Sequence, residues 1–330
     1  MPKIRSIKCL VRYYVLTPRY RYNFRIQTVR HMTRLIHFVF YGSYFYGCCA
    51  IALLWETSIQ LGLRIQEPLL YICTFGITVL FYNYPYLHKQ KLGSANLRVR
   101  WIARNHRNFL IQQSLLAITV FISFILLIYV HGPNMILPNT SQYLMIIMPI
   151  ILATSYYNGL LGIKNYNLRK IGWLKPFIIG LVWTSLVFVY PILFVRLTSL
   201  PGEVNVNLFM ILLFIKSVMF ISILAILFDI KDAHSDRVHR METLIVRLGL
   251  QKTLLYLVLP LTLLGLLTFF TYAFIQEMTG WRILLTMIPF VLLLGAIYSL
   301  QKDRSLLYYL VVIDGLMLVK AICGGVAMMV

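Results

Sequence analysis

The chain is short of negative charge. Of its 330 residues only 10 are Asp or Glu, against 31 Lys and Arg, for a formal net charge of +21. Between Glu67 and Glu203 there is no acidic residue at all, which excludes a carboxylate metal site from that stretch. Charged residues of both signs make up 12% of the chain, far below what a soluble surface carries. The five cysteines (Cys9, Cys48, Cys49, Cys73, Cys323) lack the paired spacing of a metal knuckle or a disulfide framework, and read as small buried or lipid-facing residues. A cleavable signal is not expected either, because about 35 residues with nine Lys or Arg and no acid precede the first apolar run.

What is abundant is hydrocarbon. With 60% hydrophobic residues and a mean hydropathy of +0.78, the chain reads as an integral, multi-pass membrane protein, and the setting expected for it is a bacterial inner membrane. Nine apolar segments are long enough to cross a bilayer: about 36–55, 69–87, 109–131, 140–158, 175–197, 206–228, 253–275, 281–300 and 306–328. The expected fold is therefore an all-α membrane bundle of nine transmembrane helices, residues 36–330, behind a basic arm, residues 1–35. Pro138, Asn139 and Gln142 leave the start of the fourth segment ragged, and Pro191, Pro260 and Pro289 predict kinks inside others. Lys and Arg concentrate in alternate loops: with the N-terminus inside, 26 fall on the inner side and three, Arg64, Arg196 and Arg282, on the outer. That division predicts a cytoplasmic N-terminus and an external C-terminus. The arm alternates basic residues with Ile, Leu, Val, Tyr and Phe, so its expected partner is the anionic headgroup surface, with nucleic acid a poor second.

Three of the ten carboxylates crowd into eight positions, Asp229, Asp232 and Asp236, where the sixth apolar segment meets a basic loop. Offsets of three and seven residues place them on one helical face. Like charges stacked in that way repel, unless a hard cation such as Mg²⁺ sits among them with positions left open to phosphate oxygens. A solvated acidic turn is the plainer alternative. Cationic loops at the same side would complete a mouth for a diphosphate, although such charges also serve simply to fix topology. Within the apolar segments, Lys216 and Asp314 are expected to form a buried pair, since an unpaired charge there is costly. Tyr156, Tyr157, Trp183 and Tyr190 are candidates for lining a cavity and stabilising a carbocation, or for ordinary packing.

The segment Asp229-Ile-Lys-Asp-Ala-His-Ser-Asp-Arg237, followed by Glu242-Thr-Leu-Ile-Val-Arg-Leu-Gly249, resembles the second aspartate motif and following loop of the UbiA-type membrane prenyltransferases. Arg169 to Pro176, opening the fifth apolar segment, adds to the likeness. The resemblance implies a helical bundle around a central cavity, with Asp229, Asp232 and Asp236 holding Mg²⁺ against a prenyl diphosphate. It implies an enzyme that transfers a prenyl group to a lipid-soluble acceptor, and phosphate contacts from Lys175 and Arg237. The chain departs from the family at the second segment. With Asn83 as the motif's Asn, Leu87 and Lys91 stand where carboxylates belong. Asn83, His88, Lys89 and Lys91 would then face the diphosphate with cations in place of a second metal. Loss of that motif also fits a non-catalytic isoprenoid-binding or scaffold relative, while a secondary transporter would use Lys216 and Asp314 but leave the aspartates idle.

The topology is checked by single-cysteine labelling in intact cells. Residues 91 and 239 should react only after permeabilisation and residue 330 from outside; external labelling of residue 239 would overturn the orientation.

Overall fold

The computed structural model describes residues 34–63, 65, 67–87, 96–158, 171–198, 207–238 and 241–329. These residues are helical throughout, with no strand among them. Helix α1 (Arg34–Tyr41) is bent by 59° from α2 (Tyr44–Gln60). There follow α3 (Pro68–Asn83), with a 3₁₀ turn Tyr84–Tyr86, α4 (Leu97–Arg104), α5 (His106–His131) and α6 (Thr140–Asn158). The second half holds α7 (Lys175–Thr198), α8 (Leu208–Val238), the short α9 (Leu244–Leu248), α10 (Leu250–Ile275), α11 (Gly280–Ser299) and α12 (Leu306–Met329). By length and composition six of these helices can cross a membrane, or seven if α1 and α2 form one bent span. The protein is thus an all-α, multi-pass membrane protein. Each of the nine apolar segments falls on a helix, and α3 and α6 are the two that the length criterion leaves out.

Helix α8 is the axis of the bundle. It packs on α7 and α10, while α12 packs between α2 and α11, and α3 between α2 and α5. Its buried residues Phe220, Ile223, Leu224, Ile226 and Leu227 join Leu53, Trp183, Leu293 and Ile313 in the main core. A close approach of α7 to α8 depends on Gly180: a Cβ there would stand 2.8 Å from the Val218 carbonyl oxygen. Beyond the end of α8, Gly172 lies flat against the Glu242–Thr243 peptide, so the segment entering α7 and the loop leaving α8 close over one another. By contrast α5 buries only 6% of its apolar stretch and presents the rest outward, as a lipid-facing helix does.

Pro191 and Pro260 act through widened turns, whereas Pro289 sits inside the continuous helix α11. In α7 the π turn Ser185–Val189 ends just before Pro191, and in α10 the π turn Leu254–Val258 ends just before Pro260. Widening the turn makes room for the ring, which would otherwise strike the carbonyl one turn back. A third wide turn, Tyr309–Ile313 in α12, has no proline and delivers Asp314 to the bundle interior.

The break between α1 and α2 frees backbone carbonyls inside the bundle, and two side chains cap them. Asn83 Nδ2 donates to the Gly42 carbonyl at 2.8 Å, and Arg98 Nε donates to that of Tyr41 at 3.0 Å. Ser43, at φ 64°, donates from its hydroxyl to Asn83 Oδ1 at 2.9 Å, and Arg98 Nη2 reaches both Ser43 Oγ and Asn83 Oδ1. Asn83 is fully buried. Replacing it by Leu strands the Gly42 carbonyl and withdraws an acceptor from Ser43 and Arg98, at about 1–3 kcal/mol for each group left unsatisfied. Asn83→Leu should therefore lower the midpoint of SDS-induced unfolding clearly; an unchanged midpoint would mean the bend does not depend on this cap.

Candidate functional site

A cavity of about 210 Å³ opens between α2, α3, α4, α6, α7, α8 and α12. Besides Asp314 and Tyr46, its charged and polar lining comes from three places. Asp229 and Asp232 stand at the end of α8, Lys175 opens α7, and Arg98 sits on the amphipathic α4. The rest of the lining is mostly apolar or aromatic: Phe81, Tyr82, Tyr156, Ile179, Trp183 and Ala225 are among it. The helical spacing of the aspartates is as the sequence implies, because α8 continues unbroken to Val238. Only the first two line the cavity. Asp236 is buried, just over one turn farther along.

Repulsion between the carboxylates is answered by lysines. Lys175 Nζ donates to Asp229 Oδ1 in a close, buried ion pair, and Lys231 Nζ donates to Asp232 Oδ1 at 2.8 Å. Among the described residues no three His, Cys, Asp or Glu converge as a ready-made metal cage. The donor chemistry still suits Mg²⁺ in the mode that borrows phosphate oxygens, which needs one or two carboxylates. Asp229 and Asp232 are one turn apart, face the same space, and each has Oδ2 left after its lysine contact.

Other expected site residues fall elsewhere. Asn83 is committed to Gly42, Ser43 and Arg98, so it holds Arg98 in place and does not line the cavity. Arg237 is exposed at the end of α8. His88, Lys89 and Lys91 lie outside the described residues, as does the Tyr157 side chain. Tyr156 and Trp183 do line the cavity, whereas Tyr190 donates to the Ile146 carbonyl at 3.0 Å and ties α7 to α6.

The expected Lys216–Asp314 pair does not form, and helix geometry explains why. Phe228 of α8 meets Tyr309 of α12, so the C-terminal end of α8 and the N-terminal end of α12 lie together. At 1.5 Å per residue Asp314 is about 12 Å from that end and Lys216 is about 20 Å beyond Asp229, so the two sit at different depths. Asp314 accepts a hydrogen bond from Tyr46 Oη at 2.6 Å on the cavity wall. Tyr46 stacks on Tyr82 with centroids 4.1 Å apart, and Trp183 Nε1 donates to Tyr82 Oη at 2.8 Å. Lys216 instead lies over the rings of Phe269 and Tyr272, beside a buried pair in which Lys320 donates to Glu56 at 2.7 Å.

No family model, curated protein or solved structure matches this chain. What the site does is therefore argued from its own residues. Sequence reasoning missed Tyr46 and Glu56, and it offers Arg98 only as one of several cations, with Arg100, Arg104 and Arg107, in the loop after the second apolar segment. Glu56 lies one residue past the first apolar segment. The signal that would have found Glu56 is its i, i+4 partner Gln60, which donates to it at 3.0 Å within the same helix.

Cutting the Lys175–Asp229 pair from one side leaves a buried carboxylate alone, a loss of about 3–5 kcal/mol. Lys175→Met should destabilise the protein strongly, and Asp229→Asn added to it should restore most of the loss. Equal stabilities of the single and double variants in SDS unfolding would show that the pair is not coupled.

Proposed function

We propose that this chain is a prenyltransferase-like membrane protein which binds a prenyl diphosphate in the α2–α3–α7–α8–α12 cavity and passes its prenyl group to a lipid-soluble acceptor. The observation that carries this reading is the cavity's lining. Asp229, Asp232 and Lys175 share one end, aromatic and aliphatic residues of α7 and α8 continue from them, and Arg98 and Asp314 line the same cavity. A diphosphate head with an isoprenoid tail has that same division of polarity. Nine spans with a cytoplasmic N-terminus belong to the proposal, supported by the 26 to 3 division of loop cations and by the coincidence of every apolar segment with a helix. The cavity's polar end would then face the cytoplasm, and the basic arm the anionic headgroups.

In this reading Asp229 and Asp232 would hold Mg²⁺ through their remaining oxygens, and the ion would neutralise charge on the diphosphate. Lys175 is placed to turn from Asp229 to a phosphate oxygen. The bond between the prenyl C1 and the diphosphate oxygen breaks, and its electron pair leaves on the diphosphate. The faces of Tyr82 and Trp183 favour the allylic cation while it lasts. The acceptor's nucleophile forms the new bond to C1, and Asp314, held through one oxygen by Tyr46, is the cavity carboxylate able to take the proton released.

A second reading, a non-catalytic isoprenoid-binding relative, is favoured by one observation: Asp229 and Asp232 are already neutralised by lysines. One experiment separates the two. Purified protein in nanodiscs should bind farnesyl thiodiphosphate more tightly with Mg²⁺, and Asp232→Asn should weaken that binding roughly tenfold or more, the worth of a charge-assisted contact. With farnesyl diphosphate itself, Mg²⁺-dependent pyrophosphate release marks an enzyme, and tight binding without release marks the binder. Equal affinity of mutant and wild type, with and without Mg²⁺, would remove the metal role.

A further inference from the structure

The cavity's charges do not all cancel locally. Lys175 is matched by Asp229 and Asp232 by Lys231, but among the described residues no carboxylate lies within ion-pair distance of Arg98. Arg98 is only 7% exposed and lines the same cavity as Lys175, Asp229 and Asp232. Its guanidinium is held rigidly. Nε is spent on the Tyr41 carbonyl, Nη2 on Ser43 and Asn83, and the plane rests over the Tyr86 ring at 4.4 Å from its centroid. These partners are neutral, so they orient the group without neutralising it. Among the described residues Nη1 makes no hydrogen bond, and it is the nitrogen left to serve a ligand.

A buried guanidinium with no salt-bridge partner among the described residues is expensive unless an anion completes it. We infer that Arg98 anchors the phosphate end of the ligand with a fixed cation of the protein. The inference rests on the reading of this cavity as a diphosphate site. It follows from two facts on the same wall: the α3 end of the cavity has no acid residue in reach along the chain, since none occurs between Glu67 and Glu203, and Arg98 presents its charge there. The Arg geometry suits a phosphate better than a lysine does, because a planar fork held on one side directs its remaining N–H groups to one place. The break between α1 and α2 gains a role by the same argument. The carbonyls and hydroxyl it frees are what point the guanidinium inward.

The consequence is diphosphate binding that partly survives removal of divalent metal. Wild-type protein in nanodiscs is titrated with farnesyl thiodiphosphate in Mg²⁺ and in EDTA, and the titrations are repeated on Arg98→Gln and Arg98→Lys. In parallel, wild-type protein is treated with phenylglyoxal, and modification of Arg98 is followed by mass spectrometry with and without inorganic pyrophosphate, and with phosphatidylglycerol in the disc. We expect EDTA-resistant binding in the wild type, weakened roughly tenfold or more by Arg98→Gln and partly kept by Arg98→Lys. Pyrophosphate should protect Arg98, and phosphatidylglycerol should not. Should the variants fail to fold, protection in the wild type decides alone. Binding that needs Mg²⁺ entirely, with Arg98 unprotected, overturns this inference and leaves the cavity's assignment standing. Protection by phosphatidylglycerol in place of pyrophosphate would make Arg98 a lipid-headgroup anchor and overturn it too. No binding of farnesyl thiodiphosphate under either condition removes the underlying reading.

Discussion

A charge inside an apolar bundle must be answered by an opposite charge, by oriented dipoles or by a ligand, because the lipid around it answers nothing. That constraint arranges most of this protein's interior. Glu56 and Lys320 answer one another across α2 and α12, with Gln60 filling the second carboxylate oxygen. Lys175 and Asp229 do the same between α7 and α8. Arg98 is answered by carbonyls and a hydroxyl at the α1–α2 break, and Asp314 by a tyrosine hydroxyl. Arg98 and Asp314 have dipoles for partners in place of counter-charges, and both face the same cavity. A site that leaves a cation and a carboxylate to be completed by its contents is suited to a ligand with a charged, polar group.

The position of α8 gives that arrangement its geometry. It is long enough to hold Lys216 at one depth and the aspartates at another, and its close contact with α7 across Gly180 brings Lys175 to Asp229. The loop beyond it packs on Gly172, so the entry to α7 and the exit from α8 are fixed together next to the cavity. Local features that look like defects serve the same end. The wide turn Tyr309–Ile313 carries Asp314 inward, and the left-handed Ser43 carries its hydroxyl to Asn83 and Arg98.

The all-helical, multi-pass character was legible in the sequence because it follows from hydrophobic length: the apolar runs lie on helices, the first of them on a pair bent by 59°. The aspartate spacing was legible for the same reason, since a helix continued past the apolar run fixes which side chains share a face. What could not be read was partnership. Lys216 and Asp314 were matched by sign, but depth decides pairing in a membrane, and depth depends on which helix ends meet. Arg98 was hidden among exposed cations of a loop, because nothing in its neighbourhood distinguishes a guanidinium turned inward by a distant helix break, 55 residues away at Ser43. Asn83 was assigned to a ligand, whereas its amide is used up in holding that break.

The central claim is that an isoprenoid diphosphate lies in this cavity with its tail along α7 and α8. It is tested most directly by photolabelling the protein in nanodiscs with a farnesyl diphosphate analogue carrying a diazirine on its tail, followed by peptide mapping. The account predicts labels on cavity residues such as Ile179, Val182 and Ala225, competed away by unlabelled farnesyl diphosphate. Labels confined to the outward faces of α5 and α11, and indifferent to competitor, would contradict it.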